Sequence, residues 1–184
     1  AKRMGGNSMH FFSSDVRVVP VEQVNLESAL RKAIFRDEFV VYYQPKICLK
    51  TNLIIGTEAL VRWQHPTMGL LAPGQFIPLA EEAGLISAIG EIVLDKACRQ
   101  TQFWHEQGLG SICTSVNVVA QQLQRGNLLE IVDRVLVCTR LDPIALELEI
   151  TESSFMEDRQ VVYQTLEGLR TRGIKIALDD FGTG

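Results

Sequence analysis

Cysteine and histidine are scarce in this 184-residue sequence, with four and three residues respectively. No two cysteines form a Cys-x-x-Cys pair, and His10, His65 and His105 stand in no His-Glu-x-x-His spacing. The patterns of a thiolate or imidazole zinc site are therefore missing. Cys48, Cys98, Cys113 and Cys138 lie far apart in apolar neighbourhoods, which predicts buried reduced thiols rather than zinc ligands or a disulfide pair. No apolar run approaches the roughly 18 residues that a membrane helix requires, and no secretory signal opens the sequence. The expected location is cytoplasmic, with tethering through an upstream segment left open. A basic excess is absent too: 18 Lys and Arg face 22 Asp and Glu, a net charge of -4. That excludes an electrostatic footprint for duplex nucleic acid, although one nucleotide needs only one or two well-placed cations. What is present, 46% hydrophobic and 22% charged residues, is the composition of an ordinary globular domain or a piece of one.

Residues 1–12 hold a Gly-Gly-Asn turn between a basic and an aromatic end, and look like the tail of an upstream domain. Residues 13–25, polar and β-branched with Pro20, suit a linker. Asn25 is expected to cap a helix whose apolar positions Leu26, Leu30, Ala33 and Ile34 follow the helical period. Phe39 to Cys48 and Leu53 to Trp63 read as strands joined by four polar residues. A parallel pair needs a crossover of a dozen or more residues, so this is an antiparallel hairpin. Pro73-Gly74 opens a short helix near Gln75 to Ala83, and a longer one is expected from about Ser87 to Gln107.

Beyond Gly108 the pattern alternates regularly: strand Ser111 to Val118, helix Leu128 to Cys138, strand Leu146 to Thr151, helix Gln160 to Arg172, strand Ile174 to Asp179. Strands and helices alternating at about 30 residues imply right-handed parallel βαβ units. Roughly five strands are counted, whereas a complete eight-stranded (β/α)8 barrel typically takes about 250 residues. The expected fold is thus α/β, a partial (β/α)8 TIM-like barrel with an antiparallel first strand, truncated after the fifth strand. An open doubly wound sheet competes with it. The strand faces favour the barrel, because helices on both sides would make a strand apolar throughout. Here Cys113, Ser115 and Asn117 oppose Ile112, Thr114 and Val116; Glu147, Glu149 and Thr151 oppose Leu146, Leu148 and Ile150; Lys175, Ala177 and Asp179 oppose Ile174, Ile176 and Leu178. One face is polar on each strand, as in a barrel with a polar lumen.

The second strand carries the oddest residue. Glu58 shares a face with Leu60 and Arg62 inside an apolar run, and a carboxylate there needs a cation or hydrogen bonds. Glu58, Asn117, Glu149 and Asp179 are all oxygen donors toward the carboxyl ends of their strands, where barrel active sites lie. Asp180 follows Asp179, and Glu152 stands three residues past Glu149. Crowded carboxylates of this kind favour a hard divalent cation such as Mg²⁺ or Mn²⁺. A turn at Asp180 would admit a second ion about 3.5 to 4 Å from the first, an arrangement suited to in-line displacement at phosphorus, with Arg62 on a phosphate oxygen. Lys175 and Glu147 are expected to form a structural ion pair in the barrel floor. Gln44 either satisfies local backbone groups or contacts a ligand, and Glu81-Glu82 reads as the solvated face of a short helix.

The residues that carry this reading also carry a resemblance. Tyr43-Gln44-Pro45-Lys46, Glu58-Ala59-Leu60-Val61-Arg62-Trp63, Pro73-Gly74-Gln75-Phe76-Ile77-Pro78 with Ala80-Glu81-Glu82, Ser115-Val116-Asn117-Val118, Glu149-Ile150-Thr151-Glu152-Ser153 and Asp179-Asp180-Phe181-Gly182-Thr183-Gly184 occur in this order. From about residue 26 onward the sequence resembles the EAL-type cyclic di-GMP phosphodiesterases. The resemblance implies a modified barrel with an antiparallel first strand and hydrolysis of cyclic di-GMP to linear pGpG with Mg²⁺ or Mn²⁺. It implies that Glu58, Asn117, Glu149 and Asp179 are metal ligands, with Asp180 on a second ion. Gln44, Leu60 and Arg62 would contact substrate. Glu152 is implied as a catalytic-site residue that opens a loop steadying the metal site and linking it to a homodimer interface.

Residues 1–12 similarly resemble the end of a GGDEF domain through Ala1-Lys2, Gly5, Asn7 and Phe11, although Gly6 stands where that family usually has Arg. This implies upstream regulatory domains, with 13–25 as linker and 26–184 as the EAL domain. Two departures matter. Val119 replaces a small hydroxyl residue, with a packing consequence. The sequence also stops at Gly184, before the strands that in this family carry a catalytic lysine and further acidic and glutamine residues. The expectation is an incomplete catalyst on its own, with open sheet edges that make it unstable as a monomer. The alternatives are a non-catalytic EAL-type sensor that binds cyclic di-GMP or a protein, and a barrel that stabilises an enolate on Mg²⁺. The latter leaves Arg62 and the Phe181-Gly182-Thr183-Gly184 turn without a role.

Overall fold

A computed structural model of the chain describes residues 21–110, 112–124, 126–151 and 159–179. The expectations for residues 1–12, Glu152, Asp180 and the turn after it lie outside the described residues. Helix α1 spans Val21–Phe35. It therefore begins before Asn25, which lies within the helix rather than capping it, and takes up the end of the stretch read as linker. Glu22 and Gln23 are good helix formers, and an interior Asn costs a helix only a fraction of a kcal/mol, on the order of 0.7 or less.

Strands β1 (Phe39–Ile47) and β2 (Ile54–His65) form the expected antiparallel hairpin. Its turn is closed by Cys48 N donating to Leu53 O at 2.9 Å and Asn52 N donating to Cys48 O at 2.8 Å. Asn52 takes the left-handed conformation (φ 53°) that Asn tolerates better than other side chains. On the outer face Phe39 stands opposite Trp63 with ring centroids 6.1 Å apart, and both pack with Phe76 at centroid distances of 5.8 Å. Trp63 Nε1 donates to Glu38 Oε2 at 3.0 Å, so the buried indole keeps a hydrogen bond.

Strand β3 (Gly69–Leu71) pairs with the end of β2. A 3₁₀ turn over Pro73–Gln75 precedes α2 (Ile77–Glu82), in place of the single helix expected from Gln75. Pro78 fits the first turn of α2 because its missing N–H would be unpaired there anyway. The long α3 (Ile86–Glu106) matches expectation within a residue at each end. Then follow β4 (Cys113–Val118), the short α4 (Ala120–Gln124), α5 (Leu128–Thr139), β5 (Leu146–Thr151), α6 (Arg159–Thr171) and β6 (Lys175–Asp179). Among the described residues, no helix is long and apolar enough to cross a membrane.

The sheet order is β1-β2-β4-β5-β6, with β3 attached to β2. The β1 pairing is antiparallel, and β2, β4, β5 and β6 are parallel neighbours. The apolar strand faces turn toward the helices as their alternation requires. Leu146, Leu148 and Ile150 of β5 are wholly buried, in one core with Ile89, Val93 and Ala97 of α3, Val132 and Val135 of α5, and Val162 and Leu169 of α6. Two glycines mark close approaches. A methyl group at Gly56 of β2 would stand 2.7 Å from the Cys113 carbonyl oxygen. At Gly90 of α3 it would collide with the amide of the buried Gln122, whose Oε1 accepts from Val119 N at 3.1 Å. The four cysteines are free thiols, but only Cys98 is fully buried; Cys48 and Cys113 are half-buried and Cys138 is exposed. Cys138 follows Val137 on the solvent side of α5, where helical period overrides the apolar neighbourhood.

Candidate functional site

Strand register places the polar residues on a common face. Gln44 is directly opposite Glu58, Tyr42 opposite Leu60 and Lys46 opposite Gly56. Crossing the parallel strands, Glu58 is level with Ser115, Asn117 with Glu149, and Thr151 with Asp179. The four predicted ligands therefore do not share one hydrogen-bonded row. Each of the steps from Glu58 to Asn117 and from Glu149 to Asp179 climbs by two residues, and the step from Asn117 to Glu149 by none. An eight-stranded barrel of this class has a shear of about 8, roughly one residue per strand, and side-chain alternation delivers it in twos. A climb of this size is what a tilted barrel wall asks of residues that are to share one height.

The contacts agree with that geometry. Asn117 Nδ2 donates to Glu58 Oε1 at 2.9 Å, across neighbouring strands. Glu149 is 8% exposed, whereas Asn117 and Asp179 are exposed on the open side. Arg62 lies 5.7 Å from the Tyr42 ring centroid, and its Nη1 donates to Val61 O at 2.8 Å. Gln44 stands across the hairpin from Glu58, and the half-buried Leu60 across from Tyr42.

Beneath this level sits Lys46, a residue of the Tyr43-Gln44-Pro45-Lys46 run whose role the sequence pattern does not reveal. Lys46 Nζ donates to Glu149 Oε1 at 2.5 Å, to Glu147 Oε1 at 3.0 Å and to Ser115 Oγ at 2.5 Å. Ser115 Oγ in turn donates to Glu147 Oε1 at 2.6 Å. The expected ion pair between Glu147 and Lys175 is replaced by this network: Lys175 lies beside Glu147 in register but acts on it only at longer range. Burial pushes the Glu147 carboxyl up, but the Ser115 hydroxyl and Lys46 ammonium outweigh it and hold the group below its ordinary value. Burial likewise works against the Lys46 charge, and the hydrogen bonds to Glu149 and Glu147 more than offset it, so its pKa is raised. In the sequence Lys46 shares the β1 face of Tyr42 and Gln44, but that face alone does not say which residues of neighbouring strands it meets.

Among the described residues, no three His, Cys, Asp or Glu side chains crowd together as a metal cluster. What converges is a mixed oxygen set, the Glu58 and Glu149 carboxylates and the Asn117 amide, which suits a hard divalent cation better than a soft one.

The described geometry has close counterparts. The EAL domain model matches residues 27–184. The chain is 44% identical over 184 residues to the bifunctional diguanylate cyclase/cyclic di-GMP phosphodiesterase MucR of Pseudomonas aeruginosa, covering all of this chain and 27% of that protein. It is 38% identical over 184 residues to the cyclic di-GMP phosphodiesterase NbdA of the same species, covering all of this chain and 24% of NbdA. The solved PaMucR phosphodiesterase, in complex with c-di-GMP, superposes with a TM-score of 0.83 at 45% identity, over 87% of this chain and 65% of that one. The chain thus spans about a quarter of the length of these curated relatives. By family model, sequence and fold together, the chain belongs to the EAL domain family.

Proposed function

We propose that this chain supplies part of the active site of a divalent-metal-dependent phosphodiesterase that opens cyclic di-GMP to linear pGpG. The observation that carries the reading is that Asn117 bonds Glu58 across neighbouring strands and stands level with Glu149, with Gln44 and Arg62 on the Glu58 face of the hairpin. Glu58, Asn117, Glu149 and Asp179 would hold the metal, with Asp180 on a second ion and Glu152 opening the loop beside it. The relatives named above as cyclic di-GMP phosphodiesterases support the substrate.

Held by Glu58, Asn117, Glu149 and Asp179, a Mg²⁺ or Mn²⁺ ion would make a water more acidic and would offset charge on the phosphoryl oxygens. The chain's own groups bind and orient the substrate. Arg62, held against the Tyr42 ring, meets a non-bridging phosphate oxygen with a charge-assisted hydrogen bond. Gln44 offers an amide beside Glu58, and Leu60 gives the bound nucleotide an apolar contact. Water oxygen adds to phosphorus as the bond to the ribose 3′ oxygen breaks, and a proton released by the water is matched by one taken up at the departing oxygen, leaving a 5′ phosphate and a free 3′ hydroxyl. The assembly is a homodimer under upstream regulatory domains.

The test is hydrolysis of cyclic di-GMP by the full-length protein with Mn²⁺ or Mg²⁺, with the product identified chromatographically. The expected result is pGpG from the wild type and loss of at least 100-fold in rate for Glu58→Ala. Tight binding of cyclic di-GMP without cleavage would replace the phosphodiesterase with the sensor reading.

A further inference from the structure

Lys46 reaches two strands beyond its hairpin partner. It leaves β1 opposite Gly56, which puts no side chain in its path, and spans β2 to reach Ser115 on β4 and both Glu147 and Glu149 on β5. An ammonium has three protons, and three acceptors are in place here. Its contact with Glu149 falls on Oε1, one of the two carboxylate oxygens. The Ser115 hydroxyl, 1% exposed, accepts from Lys46 and donates to Glu147, so the ammonium is fixed from below.

Resting on the phosphodiesterase reading, we infer that Lys46 is a positioning residue for the metal ligand Glu149, clamping one carboxylate oxygen from the barrel floor so that the other is presented to the level of Glu58 and Asn117. Glu147 and Glu149 stand two residues apart on one face of β5. Without a shared cation their charges repel, and Glu149 regains the rotamers that the clamp removes. Freeing a glutamate side chain weakens a site it must ligate by about tenfold. The ammonium's repulsion of a metal ion acts in the opposite sense, and it is offset by the two carboxylates that already share the lysine charge.

The experiment is a Mn²⁺ titration of the full-length protein without substrate, reading free Mn²⁺ by electron paramagnetic resonance, alongside thermal unfolding of the metal-free protein. Lys46→Met keeps the apolar stem and removes the ammonium. The expected result is Mn²⁺ binding weakened fivefold or more in protein that is still folded at the titration temperature. A change smaller than fivefold, or tighter binding, overturns the inference. If Lys46→Met does not fold, Ser115→Ala decides, because it loosens the clamp without changing charge: weakening of twofold or more supports the inference and a smaller change overturns it. A purely structural lysine would move the unfolding temperature and leave Mn²⁺ affinity alone. Failure of the wild type to bind Mn²⁺ would instead sink the metal-dependent reading itself.

Discussion

Tyr43 and Cys98 are neighbours on the helix side of β1, and each titrates far from its ordinary value. Burial pushes the Tyr43 phenol up to about 12, helped by the nearby Cys98, and burial pushes the Cys98 thiol up to about 12, helped by Asp95. In both cases the folded state holds its proton more tightly than the unfolded chain. Their stabilising contribution is therefore complete below the unfolded values, near 9 for the thiol and 10 for the phenol. It is lost as pH rises toward 12. Urea unfolding at pH 8, 9.5 and 10.5 should show stability falling across that series, with the fall reduced in Cys98→Ala and reduced again when Tyr43→Phe is added. A wild-type slope matched by the double variant would show that other groups dominate. At this scale the sequence was legible where the argument needed only a face: Glu58, Asn117 and Glu149 follow from strand alternation. It was not legible for Lys46, because a face does not state which residue of a neighbouring strand lies opposite. That register placed its ammonium on Glu147 in the position expected for Lys175.

The elements hold the site by close approach of backbones. Gly56 leaves β2 near enough to β4 that a methyl group there would meet the Cys113 carbonyl oxygen at 2.7 Å, an obstacle that cannot rotate away. Gly56→Ala should destabilise the chain by about 1 to 3 kcal/mol, the usual cost of overpacking. A shift in the denaturation midpoint at constant slope would measure it. No shift would mean that the β2 and β4 strands can part without penalty. Long elements were readable from sequence because apolar spacing repeats over several turns of helix or several strand residues. The missed strand and α-helix are β3 and α4, of three and five residues, too short for any period to show. The start of α1 was misplaced for a related reason: an asparagine that can cap a helix can also lie inside one, and local spacing does not decide between them.

At the scale of the whole molecule, the described sheet has β1 at one end and β6 at the other. Half-exposed Tyr42 and Leu178 lie on those outer strands, each of which has one sheet neighbour among the described residues, and an outer strand invites pairing with another chain. The 184-residue chain prepared alone should therefore elute at an apparent mass that rises with concentration. A single sharp unfolding transition independent of concentration would refute this. In the helix layer the Arg172 guanidinium of the turn after α6 meets the Asp133 carboxylate of α5 with two bonds of 2.6 and 2.7 Å. The stagger that levels Glu58 with Asn117 could not be read from any single strand, since it is a property of how tilted strands meet. One contact of this helix layer also carries a historical consequence. Gln122 occupies the room that Gly90 leaves on α3 while its side chain ties down the amide just past the Asn117 strand, so neither position is free to drift alone. In lineages of this family where a side chain has appeared at position 90, position 122 should have shortened with it, and aligned relatives should show the two sites changing as a pair.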